Sequence, residues 1–309
     1  MADWNHKDLV SLEELKAEEI GQILDLADSV KAKPKDFKKA LKRRVLAMIF
    51  QKPSTRTRVS FETGIYQLGG IGMYLGANDM QLGRGETIAD TAKVLSRYVD
   101  LIMARVFAHD DIVQLAKHAT VPVINGLSDY NHPCQILADL QTIREHKGKL
   151  EGLRLVYIGD GNNVAHSLLF GCAKMGMHVV VVHAEGFAPL PAVVEKATGF
   201  ANESEGSVAV STSIEAVEAA DIVYTDVWAS MGQEAEHEER LKLFKSYQVN
   251  SDLMKRAKPD AIFMHCLPAH RGEEVTDEVV DSPQSVVLDE AENRLHAQKA
   301  VMILVSSVK

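Results

Sequence analysis

The sequence predicts an α/β protein of two domains, each a mostly parallel sheet flanked by helices, with the C-terminal helix returning to the first domain. Three observations predict it. From Val45 onward, apolar runs of strand length alternate with segments of helical period over short links, the pattern of a parallel sheet covered by helices. At 309 residues the chain is too long for one ordinary core and suits two domains of about 150 residues. The last helical stretch, Ala291 to Val308, has no strand after it, so it is expected to cross back onto the first domain. Gly148 to Gly152 marks the expected boundary, giving domains of 1–147, completed by 291–309, and 148–290.

The elements follow in order. Leu12, Leu15, Ile20, Ile23, Leu24, Leu26 and Ala27 supply the apolar stripe of an amphipathic helix over 8–30. The lysine-rich piece 31–43 predicts a solvated linker. Val45 to Phe50 is a strand stopped by Pro53. The period then turns helical through Val59, Phe61, Ile65, Tyr66 and Leu68 to Gly69-Gly70, with Ser54 as a natural N-cap. Ile71 to Leu75 predicts a strand, Asn78 to Glu86 a loop, Glu86 to Tyr98 a helix and Leu101 to Val106 a strand. His109 to His118 is helical. Val121 to Asn125 is a strand whose Pro122 suggests an irregular or edge position. A long helix, Ile136 to His146, follows. The second half restarts with a strand, Leu153 to Ile158, a turn at Gly159, and a helix from Val164 to Lys174. Val179–Val182, Val208–Val210, Ile222–Thr225, Ala261–Met264 and Val286–Leu288 predict further strands. Gly232 to Glu239, with four glutamates, predicts a mobile loop.

Composition removes several classes. With 34 basic against 43 acidic residues the chain lacks the excess of positive charge usual in a nucleic-acid binder. Cys134, Cys172 and Cys266 are odd in number and far apart, which argues against a disulfide framework and for a reducing, cytoplasmic setting. The acidic start (Asp3, Asp8, Glu13, Glu14, Glu18, Glu19) is unlike a transit peptide, and no apolar run approaches the roughly 20 residues that span a bilayer.

The chemistry concentrates at the helix start after Phe50. A helix N-terminus offers unpaired N–H groups and the positive dipole end, and Ser54, Thr55, Arg56, Thr57 and Arg58 add hydroxyls and guanidiniums. That set suits a compact dianion such as phosphate. The plainer alternative is a capped helix with solvated arginines. The stretch from Phe50 through Lys52, Pro53 and Ser54 to Arg58 resembles the carbamoyl-phosphate signature of the transcarbamylase family. Gln51 stands where many ornithine-using relatives carry Glu, a departure expected to touch no substrate contact.

In the second half, the turn Gly159-Asp160-Gly161-Asn162-Asn163 invites a dinucleotide reading, but Val164 replaces the third glycine of that fingerprint. Two asparagines at a helix start can instead hydrogen-bond a carboxylate. Asp226 with Ser230-Met231-Gly232, and His265-Cys266-Leu267-Pro268, each follow a strand, so an acid, a hydroxyl and a thiol are expected on one rim. Zinc at His265, Cys266 and His270 is the rival there. Neighbouring residues on an extended chain point to opposite faces, which argues against it.

These motifs, with His132-Pro133-Cys134-Gln135 and Glu292-Asn293-Arg294, resemble the ornithine-specific branch of the family. The resemblance implies transfer of a carbamoyl group from carbamoyl phosphate to the δ-amine of L-ornithine, with no metal or organic cofactor, no nucleic acid and no membrane. It implies that Ser54, Thr55, Arg56, Thr57, Gln81, Arg105, His132, Gln135 and Arg294 hold carbamoyl phosphate, and that Gln81 reaches in from a neighbouring subunit of a homotrimer with shared sites. It further implies that Asn163, Asp226, Ser230, Met231, Cys266 and Leu267 hold ornithine, and that Arg105, His132, Asp226 and Cys266 act in catalysis. Another amine acceptor, putrescine or an acylated ornithine, is the alternative. A nicotinamide dehydrogenase and a non-catalytic binding module are the rival classes.

Overall fold

The computed structural model describes residues 4–77, 80, 85–229 and 236–308. It divides into two compact units, 1–141 with 292–309, and 142–291. The chain passes between them within two continuous helices.

The first unit is built on four parallel strands in the order β2-β1-β3-β4: β1 (Val45–Phe50), β2 (Ile71–Gly76), β3 (Leu101–Arg105) and β4 (Val123–Leu127). Its helices are α1 (Ala17–Ala32), α2 (Thr55–Gln67), α3 (Ile88–Leu95), α4 (His109–His118) and most of α5 (Pro133–Lys147). Ala47, Ile49, Ile102, Ala104 and Val123 turn one face of the sheet toward Ala92 of α3 and Ile112 and Leu115 of α4. Pro122 lies just outside β4. That strand is an edge, and Leu9 pairs along it through Leu9 N–H to Val123 O and Asn125 N–H to Leu9 O. The predicted helix over 8–30 is shorter than expected. Ser11 caps a single 3-10 turn, and α1 starts only at Ala17, where Glu19 accepts from the Lys16 N–H.

The second unit has five parallel strands in the order β7-β6-β5-β8-β9: β5 (Arg154–Ile158), β6 (His178–Val182), β7 (Ser207–Ser211), β8 (Ile222–Thr225) and β9 (Ile262–His265). With it go α6 (Asn163–Lys174), α7 (Pro191–Glu203), α8 (His237–Phe244), the short α9 (Ser251–Met254) and α10 (Asp277–Val280), and the start of α11 (Val287–Val305). Every residue of α6 from Val164 to Lys174 is buried.

Two further expectations fail. Val286–Leu288 is no strand: Ser285 bridges Phe263, Val286 N–H bonds Phe263 O, and the chain then enters α11, with Asp289 and Glu290 in its first turn favouring a helix N-terminus. Glu238 and Glu239 belong to α8, not to a loop, because Arg240 of that helix is anchored in the unit. Residues 232–235 of that predicted loop lie outside the described residues. The C-terminal helix does return to the first unit: Lys299 donates to Gln67, and Gly64 of α2 leaves only enough room for Met302 and Lys299 beside it.

Candidate active site

Each sheet reverses its winding at one place, and open α/β sheets bind ligands at the carboxyl ends of the strands there. In the first unit that place lies between β1 and β3, where Phe50 and Arg105 are register partners. Strand β1 runs through Gln51 into Ser54, whose hydroxyl caps α2 by accepting from Thr57 N–H at 3.3 Å and contacts Thr57 Oγ1 at 3.1 Å. Arg105, His132, Gln135 and Arg294 are buried beside this helix start. Arg294, on α11, donates to Gln135 Oε1 at 2.6 Å and reaches Thr57 Oγ1 at 3.5 Å. With its amide oxygen turned toward Arg294, Gln298 accepts from Arg294 Nη2 at 2.9 Å and donates to Ser60 Oγ at 2.6 Å. The guanidinium is therefore fixed by its own helix and by α2.

Burial, then the charges of Arg294, Arg105 and Arg56, hold the His132 pKa well below the ordinary histidine value. His132 is a neutral imidazole near pH 7, able to donate one N–H. Cys134, two residues on, is pushed up to about 12 by burial and donates to Asn125 O at 3.4 Å. It is a packing thiol. Arg58 leaves the group: it pairs with Glu62 at 3.4 Å and lies over the Tyr74 ring.

Gln51 has a larger part than its sequence reading allowed. Its N–H donates to Arg105 O, its side-chain oxygen accepts from Phe107 N–H at 2.8 Å, and its amide nitrogen donates to Asp111 at 2.8 Å. The amide thus ties the end of β1 to the chain that follows Arg105. A carboxylate at 51 would face that of Asp111.

In the second unit the reversal lies between β5 and β8. Asn162 follows β5 and caps α6, accepting from Val164 N–H at 3.0 Å and Ala165 N–H at 3.3 Å. Its Nδ2 donates to Asp226, after β8, at 3.2 Å. Val227 N–H and the Cys266 thiol, after β9, reach the other Asp226 oxygen at 2.8 and 3.0 Å. Burial, followed by the charges of Asp226, Asp160 and Cys266, raises the Tyr157 pKa well above that of an ordinary phenol, so Tyr157 stays protonated and donates to Asp160 O at 2.9 Å. Asp160 itself is raised by burial, and Arg240 at 2.6 Å opposes that shift.

The dinucleotide alternative meets a steric obstacle. A Cβ on Gly161 would stand 2.2 Å from Pro189 N and 2.4 Å from Ala188 C, so this glycine admits the protein's own chain where the fingerprint would admit a pyrophosphate. Zinc at His265 is also disfavoured. His265 Nδ1 accepts from Leu267 N–H at 2.8 Å, which places the ring proton on Nε2, facing Glu274 at 3.2 Å. Both ring nitrogens are engaged.

Two domain models cover this arrangement. The carbamoyl-P binding domain of the aspartate/ornithine carbamoyltransferases matches residues 7–145, and their Asp/Orn binding domain matches 151–305. The chain belongs to the aspartate/ornithine carbamoyltransferase family. Among its carbamoyltransferase relatives, the ornithine carbamoyltransferase of Thermococcus kodakarensis is 63% identical over 302 residues, 97% of this chain and 96% of that one. The anabolic ornithine carbamoyltransferase of Pyrococcus furiosus is 61% identical over 302 residues, again 97% and 96% of the two chains. A solved structure of ornithine carbamoyltransferase from Pyrococcus furiosus superposes with a TM-score of 0.96 at 59% identity, covering 99% of both chains.

Within this carbamoyltransferase, Thr57, Gln135 and Arg294 are joined by hydrogen bonds, with Ser54 on Thr57. Arg56 and Arg105 act on His132 through their charge. Thr55 is exposed at the same helix start. Asp226 and Cys266 are in contact, Leu267 follows Cys266 on the same turn, and Asn163 is the first residue of α6. Gln81, Ser230 and Met231 lie outside the described residues. Sequence reasoning missed Gln298, Gln51 as an anchor, and Asn162 as the partner of Asp226. Only the last carried a signal, as one of the two asparagines at a helix start.

Proposed function

We propose that this chain transfers the carbamoyl group of carbamoyl phosphate to the δ-amine of L-ornithine, giving L-citrulline and phosphate in arginine metabolism. The observation that carries the choice of acceptor is the buried Asp226 carboxylate held by Asn162 and the Cys266 thiol. A carboxylate at that rim attracts an ammonium group and repels a dicarboxylate such as aspartate.

On the donor side, phosphate leaves as a dianion. Ser54, Thr55, Arg56 and Thr57 meet its growing charge with hydroxyls, a guanidinium and the unpaired N–H groups of α2. Arg105 and the N–H of neutral His132 polarise the carbamoyl oxygen. Gln135 holds the carbamoyl NH2 through its side-chain oxygen, which has two acceptor sites and gives one to Arg294. Arg294 also anchors the Thr57 end of the phosphate site.

On the acceptor side, Asn163, Ser230 and Met231 hold the amino-acid end of ornithine, and Asp226, Cys266 and Leu267 border its amines. The reacting amine has a lysine-like pKa of about 10.4 in water, so it must lose a proton before it attacks. No organic cofactor enters these steps. The function is cytoplasmic in this reading, in keeping with the three cysteines being thiols.

The working unit is a homotrimer with shared sites, to which Gln81 of a neighbouring subunit contributes. Support comes from β2, an edge strand that exposes Ile71 (58%) and Met73 (46%), with Val59 and Tyr66 exposed on α2. An open apolar edge favours burial against another chain.

Citrulline assays with ornithine, putrescine, N-acetylornithine and aspartate side by side test the reading. Ornithine is expected to be strongly preferred. A preference for putrescine or N-acetylornithine would replace the acceptor, and absence of any carbamoyl product would refute the activity.

A further inference from the structure

Leu267, on the turn after β9, has a backbone φ of +58°, in the left-handed region that residues other than glycine rarely enter. Such a backbone persists only where its surroundings hold it, and it is found where it shapes a site. Here the holder is a neighbouring imidazole. His265 Nδ1 accepts from Leu267 N–H, two residues on, at 2.8 Å.

The ring is fixed in its turn. Glu274 Oε1 faces His265 Nε2 at 3.2 Å and also accepts from His270 N–H, so one oxygen takes both the ring and the far end of the turn. With the ring proton on Nε2, Nδ1 keeps its lone pair for Leu267. The backbone of His265 is held as well: its N–H donates at 2.9 Å to Glu290, whose other oxygen accepts from Tyr224 Oη at 3.1 Å. The side chains of His265 and Glu274 are fully buried. A buried pair of ionisable groups adds little net stability, so its contribution lies in the geometry it fixes.

We propose that His265 and Glu274 are positioning residues for the acceptor rim. Glu274 fixes the imidazole tautomer, Nδ1 holds Leu267 left-handed, and the turn so formed sets the Cys266 thiol 3.0 Å from Asp226. One ligand atom from each of Asp226, His265 and Cys266 lies within 4.8 Å of the others, which would also suit an imidazole that takes the proton of the thiol. That role needs an open lone pair on the ring, and Leu267 N–H occupies it. The proposal rests on the carbamoyl-transfer reading in one respect, that Cys266 and Leu267 border the acceptor amine.

Two substitutions at 265 in the full-length protein separate the two ring nitrogens. His265→Asn puts a carbonyl oxygen where Nδ1 stands, suited to the N–H two residues on, and gives up Glu274. His265→Gln puts an amide N–H where Nε2 stands and leaves Leu267 N–H without its acceptor. Citrulline formation gives both KM values, and alkylation by iodoacetamide reports the thiol. Cys134 and Cys172 are buried, and Cys266→Ser gives the background. His265→Gln is expected to raise the ornithine KM at least about tenfold, with the KM for carbamoyl phosphate unchanged. It should speed alkylation at least about fivefold as the thiol leaves its carboxylate partner. His265→Asn should stay within about threefold of the parent in each measure, because the turn bond is kept. Glu274→Gln, which retains an acceptor oxygen, should resemble the parent, and Glu274→Leu should resemble His265→Gln. The pair at 265 keeps the test if Glu274→Leu does not fold. Equal losses in His265→Asn and His265→Gln, as a proton-taking ring or a purely structural one would give, overturn the proposal. So do parental values in His265→Gln. A parent that forms no citrulline would refute the carbamoyl-transfer reading, and the alkylation rates would still decide the turn.

Discussion

Replacing Asp226 with Asn separates the charge at the rim proposed to hold the amine from its shape. Asp226 is 6% exposed, and its two oxygens take donors from Val227 N–H, the Cys266 thiol and Asn162 Nδ2. An Asn in its place has one acceptor oxygen and one NH2. If the oxygen faces Val227 and Cys266, the NH2 meets Asn162 Nδ2, donor against donor. If it turns the other way, the NH2 meets the Val227 N–H. Asn162 cannot flip to accommodate it, because its oxygen caps α6. One mismatched buried donor costs about 1–3 kcal/mol, so Tm should fall. Losing the charge also removes the proposed charge-assisted bond to the ornithine amine, worth about 1.5–3 kcal/mol, or about 10- to 150-fold in affinity. Initial rates of citrulline formation at saturating carbamoyl phosphate, with ornithine varied, measure that loss. The KM for carbamoyl phosphate should hold. A folded variant whose ornithine KM lies within about twofold of the parent would refute the role of Asp226.

The other predictions concern the first unit. Arg56→Gln should lower turnover at least about 10²-fold by removing a charged donor from the departing dianion, and near-normal turnover would remove Arg56 from the site. Arg105→Ala and Gln81→Ala subunits, each inactive alone, should regain activity when mixed if sites are shared; an active monomer in sedimentation would exclude sharing. Burial leads the lowering of His132, His109 and His296 below 6.5, so the unfolded chain takes up protons that the native chain refuses. Their contribution to stability is intact above about pH 6.5 and is lost as pH falls from there through the folded values. Denaturant midpoints between pH 7.5 and 5 should therefore decline, and less steeply in His132→Gln; an unchanged slope in that variant would contradict the account of His132.

Features that depend on near neighbours were legible in the chain. Ser54 caps α2 as its type and place foretold, and α4 has the bounds its apolar period gives, because both depend on residues within a few positions. Pro122 argued for an edge, and β4 is one. Val286–Leu288 misled for the same local reason: three apolar residues read alike as strand or helix until Asp289 and Glu290 are weighed.

The donors for an anion at Ser54 to Thr57, and the acid and thiol at the ends of the second unit's strands, were thus determined by sequence alone. Their partners were decided by tertiary structure. Arg294 reaches Gln135 from 159 positions away because α11 returns to the first unit. His132 is neutral because folding buries it and gathers Arg294, Arg105 and Arg56 around it. Gly161 has the form of a cofactor glycine, yet the backbone of 187–189 fills the space beside it. Spacing along the chain carries no record of such approaches. Charge, desolvation and steric exclusion act through distance in space, and only the packed sheets set those distances.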